Sequence, residues 1–189
     1  QTDRVFETTL TDDTGTSGAP VQTCIVVVPE NDVPSIDLDT DDSSGGTGAG
    51  YQGVFAENSP GTPIADVGGN LIVDLDDPNM QSMSIVLTNP EADDALFIDP
   101  AYTAPAGLTV SLAPDGLSVS ITGDIATADY QAALEAVRFV NRSEDPVPGI
   151  REIEVMVNDG QDDSNIGMAE ITVQPVNDPP IPQDPANPG

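Results

Sequence analysis

The sequence predicts an all-β fold, on three observations. Short runs of alternating apolar and polar residues recur along the chain, each bounded by Gly, Pro, Asn or Asp, as half-buried strands require. A single segment switches to helical spacing. Aromatic residues make up 4% of the chain and Trp is missing, so the core is expected to rest on Val, Ile, Leu and Ala, which suits a thin β-sandwich.

Strands are expected near 51–56, 70–75, 82–88, 95–98, 108–112, 117–122, 138–141, 150–157 and 168–174. In the next-to-last, Ile153, Val155 and Val157 share one face while Glu152, Glu154 and Met156 share the other. In the last, Ala169, Ile171 and Val173 face inward against Glu170, Thr172 and Gln174. That alternation describes a sheet with one wet face. The exception is 127–137, where Thr127 is placed as N-cap, Asp129 lies in the first turn, and Tyr130, Leu134 and Val137 recur at helical spacing. It reads as a short helix capping one end of the core, with Tyr130 packed in it.

Self-similarity organises the chain. Residues 4–34, RVFETTLTDDTGTSGAPVQTCIVVVPENDVP, align with residues 151–180, REIEVMVNDGQDDSNIGMAEITVQPVNDPP. Arg4 matches Arg151 and Asp12 matches Asp159 at an offset of 147, while Asn31-Asp32 matches Asn177-Asp178 at 146. A one-residue length change therefore falls in the loop between the two strands, and Ile25 and Val27 correspond to Ile171 and Val173. The expected organisation is the last two strands and linker of a preceding repeat at 1–32, a complete repeat at 33–178, and a linker or tail toward the next at 179–189. The strands within 4–28 cannot bury their apolar faces alone and need an edge to join, in this chain or a neighbouring one. Cys24, the sole cysteine, faces outward if Ile25 and Val27 face inward. It reads as an incidental strand residue, with an intermolecular disulfide as the alternative.

Charge narrows the partners. Four basic residues, all Arg, stand against 33 acidic ones, for a net charge of −29. A compact body with that excess repels itself unless divalent cations, salt or basic partners neutralise it. Nucleic acid and anionic membrane surfaces are electrostatically excluded. No run approaches the roughly 18 apolar residues of a membrane span, and the start lacks the basic and apolar regions of a signal peptide. The chain is expected to be an internal slice of a longer secreted or cell-surface protein. Catalysis is not expected: there is no His, no Lys and no phosphate loop, and Cys24 has no imidazole to activate it.

Closely spaced carboxylates suit Ca²⁺, which takes six to eight oxygen ligands. The loop Asp37-x-Asp39-x-Asp41 shares the first three acidic positions of an EF-hand but lacks its closing Glu, and Asp74, Asp76 and Asp77 form a second cluster. The alternative for all of them is a solvated, salt-adapted surface.

Several segments, in order, resemble the cadherin-like repeats of large bacterial surface adhesins. Glu57-Asn58-Ser59-Pro60-Gly61-Thr62-Pro63-Ile64 resembles the opening strand, and Asp74-Leu75-Asp76-Asp77 the acidic loop after it. Asn158-Asp159-Gly160 resembles the turn before the last strand, and Val176-Asn177-Asp178-Pro179-Pro180 the inter-repeat linker, with Pro29-Glu30-Asn31-Asp32-Val33-Pro34 its earlier copy. The resemblance covers nearly the whole chain, although the unit is longer than an animal cadherin repeat and has no Asp-Arg-Glu motif in its middle. It implies a Greek-key sandwich of cadherin or immunoglobulin type, calcium between repeats, and a role in adhesion or reach. Asn31 and Asp32 would clamp Ca²⁺ with Asp74 and Asp76. Glu57 would work with Asp178 and with acids of a following repeat, a half-built site in this stretch. The expected partners are neighbouring repeats of the same protein, with homophilic or head-to-tail self-association open. The competing readings are a calcium-dependent polysaccharide-binding module and a strand-exchanged filament subunit.

Overall fold

The computed structural model describes residues 2–28 and 30–178. The chain divides into two compact units, Gln1–Asp32 and Val33–Gly189. The tail expected at 179–189 lies outside the described residues.

The first unit is an antiparallel hairpin of β1 (Thr2–Thr8) and β2 (Val21–Val27), in which Arg4 faces Ile25, Phe6 faces Thr23 and Thr8 faces Val21. Its turn is built on Asp12, whose Oδ1 accepts the N–H groups of Thr14 and Thr16 and the Thr14 hydroxyl. Every described side chain of both strands is exposed, Phe6 by 56% and Ile25 by 51%. The expected inward face for Ile25 and Val27 is therefore not formed within this unit, and Cys24 is a free, exposed thiol.

The second unit is an all-β, Greek-key sandwich with one short helix. Its strands are β3 (Ser35–Asp37), β4 (Tyr51–Ala56), β5 (Thr62–Pro63), β6 (Leu71–Val73), β7 (Asn79–Leu87), β8 (Asp94–Ile98), β9 (Thr109–Leu112), β10 (Ser118–Ala126), β11 (Val137–Asn141), β12 (Gly149–Asn158) and β13 (Gly167–Gln174). One layer runs β4-β13-β12-β7-β10-β9, with β4 parallel to β13; a second runs β5-β11-β8, and β3 pairs with β6. The chain crosses between the layers on the way from β7 through β8 to β9 and β10, and again from β10 through β11 to β12. Phe55 on β4 meets Phe139 on β11 edge to face, ring centroids 5.5 Å apart, so the layers pack through these two rings. Phe and Tyr thus stand at the centre of a core that composition had assigned to aliphatics: Tyr130, Phe55 and Phe139 are among its largest fully buried residues. The alternation expected of β12 and β13 is present, with Ile153, Val155, Val157, Ala169, Ile171 and Val173 all buried. No helix among the described residues is long and apolar enough to cross a membrane.

Three local readings change. The strands β3 and β5 are too short to carry a periodicity and were not anticipated. The helix α1 (Thr127–Glu135) is shorter than its apolar spacing suggested, because Val137-Arg138-Phe139-Val140 pairs with β8 and Val137 opens β11. Thr127 is its first helical residue and not its N-cap; Ala126 holds that position without a side-chain bond, and the Thr127 N–H donates to the Pro78 carbonyl. Just before the helix, β10 shifts register between Thr122 and Ile125. Gly123 sits there at φ 147°, where a Cβ would lie 2.1 Å from the Gly107 carbonyl oxygen. The buried Tyr130 hydroxyl donates to the Gly123 carbonyl at 2.7 Å, and burial pushes its pKa up to about 12. Tyr130 is thus a packing residue that also closes the bulge.

The β12–β13 hairpin repeats the geometry of β1–β2. Arg151 faces Ile171, Ile153 faces Ala169, and Val155 faces Gly167. Isolated bridges close both hairpins, Thr11 to Ser17 and Asn158 to Asp163, and Asp159 Oδ1 accepts two turn N–H groups as Asp12 does. The single-residue length difference lies between Asp12 and Ser17 on one side and Asp159 and Asp163 on the other.

Candidate metal centre

Two groups of three carboxylates, each offering ligand atoms within 4.8 Å of one another, occur among the described residues: Asp39–Asp41–Asp66 and Glu57–Glu144–Asp178. They stand at opposite ends of β4. The first adjoins Tyr51, whose phenol pKa is raised by burial and by the nearby charges of Asp66 and Asp39. The second begins at the residue after Ala56. Six strand residues put them roughly 20 Å apart.

The loop between β3 and β4 shapes the first group. Leu38 is fully buried, its carbonyl accepts the Asp66 N–H at 2.8 Å, and both the N–H and hydroxyl of Thr40 donate to the Gly69 carbonyl. These bonds bring Asp66 beside Asp39 and Asp41. Asp39 itself is fully buried, and its two oxygens accept the N–H and hydroxyl groups of Ser43 and Ser44. The Ser44 hydroxyl in particular holds its carboxyl below the usual range. Asp41 Oδ1 accepts the Ser43 N–H, and Asp37 Oδ1 accepts the Asp39 N–H from outside the group. The alternate-Asp loop therefore contributes two of its three carboxylates to a centre, and Asp39 serves first as a brace for its own loop.

The second group arises from the parallel pairing of β4 with β13. Ala56 lies opposite Gln174, the Glu57 N–H donates to the Gln174 carbonyl at 3.0 Å, and Glu57 Oε2 accepts the Val176 N–H at 2.8 Å. The strand end and the chain leaving the sandwich are thereby held together, which places Asp178 beside Glu57. Glu144 comes from the loop after β11. Glu57 is only 5% exposed, and its second oxygen, Oε1, is buried without a hydrogen-bond partner. A buried carboxylate oxygen without a donor is costly unless a cation neutralises it. The set fits a hard divalent ion: oxygen donors alone, one pre-positioned by the fold and two exposed ones free to close.

The remaining expected ligands are disposed differently. Asp74 Oδ1 accepts the N–H groups of Asp76 and Asp77, and Asp77 Oδ1 accepts that of Asn79, so this run turns two of its carboxylates back on its own backbone. Asp74 Oδ2 is buried without a partner, but no third carboxylate joins it among the described residues. Asn31, whose Nδ2 donates to the Asp32 carbonyl at 3.2 Å, and Asp32 belong to the first unit. Sequence reasoning missed Glu144 and Asp66. Each is a lone acid in its own segment, and local spacing cannot reveal a ligand delivered by a distant loop.

No protein-family model and no curated protein sequence matches the chain.

Proposed function

We propose that the chain is a calcium-stabilised structural and adhesive repeat module of an extracellular bacterial protein, non-enzymatic, and related to the cadherin-like repeats that its motifs resemble. The observation that carries this reading is the buried Glu57 carboxylate, with one oxygen unpartnered and Glu144 and Asp178 beside it. Three carboxylates this close repel one another, each pair by about 1–3 kcal/mol at about 5 Å in an effective dielectric of 20–80. An ion that relieves this repulsion favours the folded form, by an amount set by its free concentration relative to its dissociation constant. Calcium suits the set better than magnesium, because it accepts irregular oxygen shells and extracellular modules bind it at high concentration. Its position suits a rod: it ties the end of β4 to the segment leaving β13, where stiffness between successive repeats would be set. The matched registers of β1–β2 and β12–β13 support the tandem arrangement. The first centre is a secondary candidate, since Asp39 already has four donors.

Calorimetric melts of the chain in EGTA, then in Ca²⁺ or Mg²⁺ at fixed ionic strength, test this reading. Calcium at ten times its dissociation constant adds about 1.4 kcal/mol, which raises Tm by about 3–6 °C. Glu57→Gln and Glu144→Gln should each remove that gain, while in EGTA Glu57→Gln should be no less stable than the parent. Equal shifts with Mg²⁺, or none with Ca²⁺, would sink the proposal.

A further inference from the structure

One face of the first unit is apolar and exposed: Phe6, Val21 and Ile25, which share it with Arg4, are each at least half exposed. A two-stranded ribbon by itself is only marginally stable in water. What covers such a surface can be read from the second unit, because β1–β2 repeats β12–β13 residue for residue. There, β12 is flanked by antiparallel β7, with Ile153 opposite Leu87 and Val155 opposite Ile85. On the other edge β13 is flanked by parallel β4, with Val173 opposite Phe55.

Arg4 makes the match more specific. Its counterpart Arg151 is 3% exposed and paired with the buried Asp94, which also accepts Asn141 Nδ2 at 2.7 Å, while Arg151 Nη2 donates to the Val147 carbonyl. In the first unit Arg4 is exposed, on the same face as Phe6.

We infer that β1–β2 is the docking edge for a β-sandwich body resembling residues 33–148, one that lacks its own last two strands. That body lays a β7-like strand along β1 and a β4-like strand parallel to β2, covers Phe6, Ile25 and Val27, and presents a carboxylate to Arg4. The inference rests on the repeat within the proposed function and not on calcium. One position also fixes a difference. Val21 stands where the second unit has Gly167, at which a Cβ would lie 2.9 Å from Leu38 Cγ. The partner body therefore carries a residue smaller than Leu at that point.

The test extends the full chain at its N-terminus with a second copy of residues 33–148 bearing Leu38→Ala, in EGTA throughout, and reads amide exchange by residue. The expected result is that the Phe6 and Ile25 amides gain at least about 100-fold protection over the unextended chain. Arg4→Glu should remove most of that protection in the extended chain and change nothing in the unextended one. Amides of residues 2–28 that stay unprotected in the extended chain would overturn the inference. So would an unextended chain that sediments as a dimer with those amides already protected, since a second copy would then be the occupant. The experiment contains no calcium, so a failed calcium melt leaves its outcome standing.

Discussion

The hairpins β1–β2 and β12–β13 share a cross-strand register and an Asp-built turn and differ in burial. In β12–β13 the inward row of Arg151, Ile153, Val155, Ala169, Ile171 and Val173 is buried under a second layer, and in β1–β2 the matching row lies open. The ladder and the turn are thus local properties, set by strand alternation and by an Asp at the turn. Burial is a property of the company a hairpin keeps. The comparison also separates the acids: Asp12 and Asp159 do the same turn work in both hairpins, whereas Glu57 acquires its place only where β4 runs beside β13.

The comparison can be broken by paired substitutions. Arg151→Ala leaves the buried Asp94 carboxylate without its cation and should cost the second unit about 3–5 kcal/mol in urea unfolding. Arg4→Ala should leave that transition within about 0.5 kcal/mol of the parent. Equal losses would mean that Arg4 is already engaged. A smaller contrast comes from Ile171→Val, expected to cost about 0.5–1.5 kcal/mol, against Ile25→Val, expected to be silent in the same measurement.

The smallest effect is on pH. The Thr14 hydroxyl and the Thr16 and Thr14 N–H groups lower the Asp12 pKa from 3.8. A depressed carboxyl stabilises the folded form above its unfolded pKa and loses that contribution as pH falls through the folded value. The Thr14 and Thr16 amide resonances should therefore hold steady down to about pH 4 and shift together below it. A midpoint above 3.8 would show that the turn does not favour the charged form.

Much of the fold was legible because it is periodic. Ile153, Val155 and Val157 betray their strand by alternation, and the paired Arg-to-Asn-Asp segments betray the second hairpin by repetition. The strands at 35–37 and 62–63 were not, since two or three residues carry no period. Thr127 misled because a hydroxyl at a helix start resembles a cap, although the carbonyl of Pro78 holds its N–H. Of the expected metal ligands, the structure gathers Asp39 with Asp41 and Glu57 with Asp178, yet each pair is completed by an acid from another loop, Asp66 or Glu144.

By itself the sequence determined the β class, the likeness of the two segments that form hairpins, and the excess of negative charge. The class and the likeness of the two segments depend on residues near one another along the chain, and the charge on composition alone. Only the tertiary structure decided which acids meet and which are already spoken for. Asp39 and Glu57 are both buried acids, but four local donors satisfy the first, while the second keeps an oxygen without a partner. That difference arises from the parallel pairing of β4 with β13, which joins residues 57 and 176 and has no signature in local spacing.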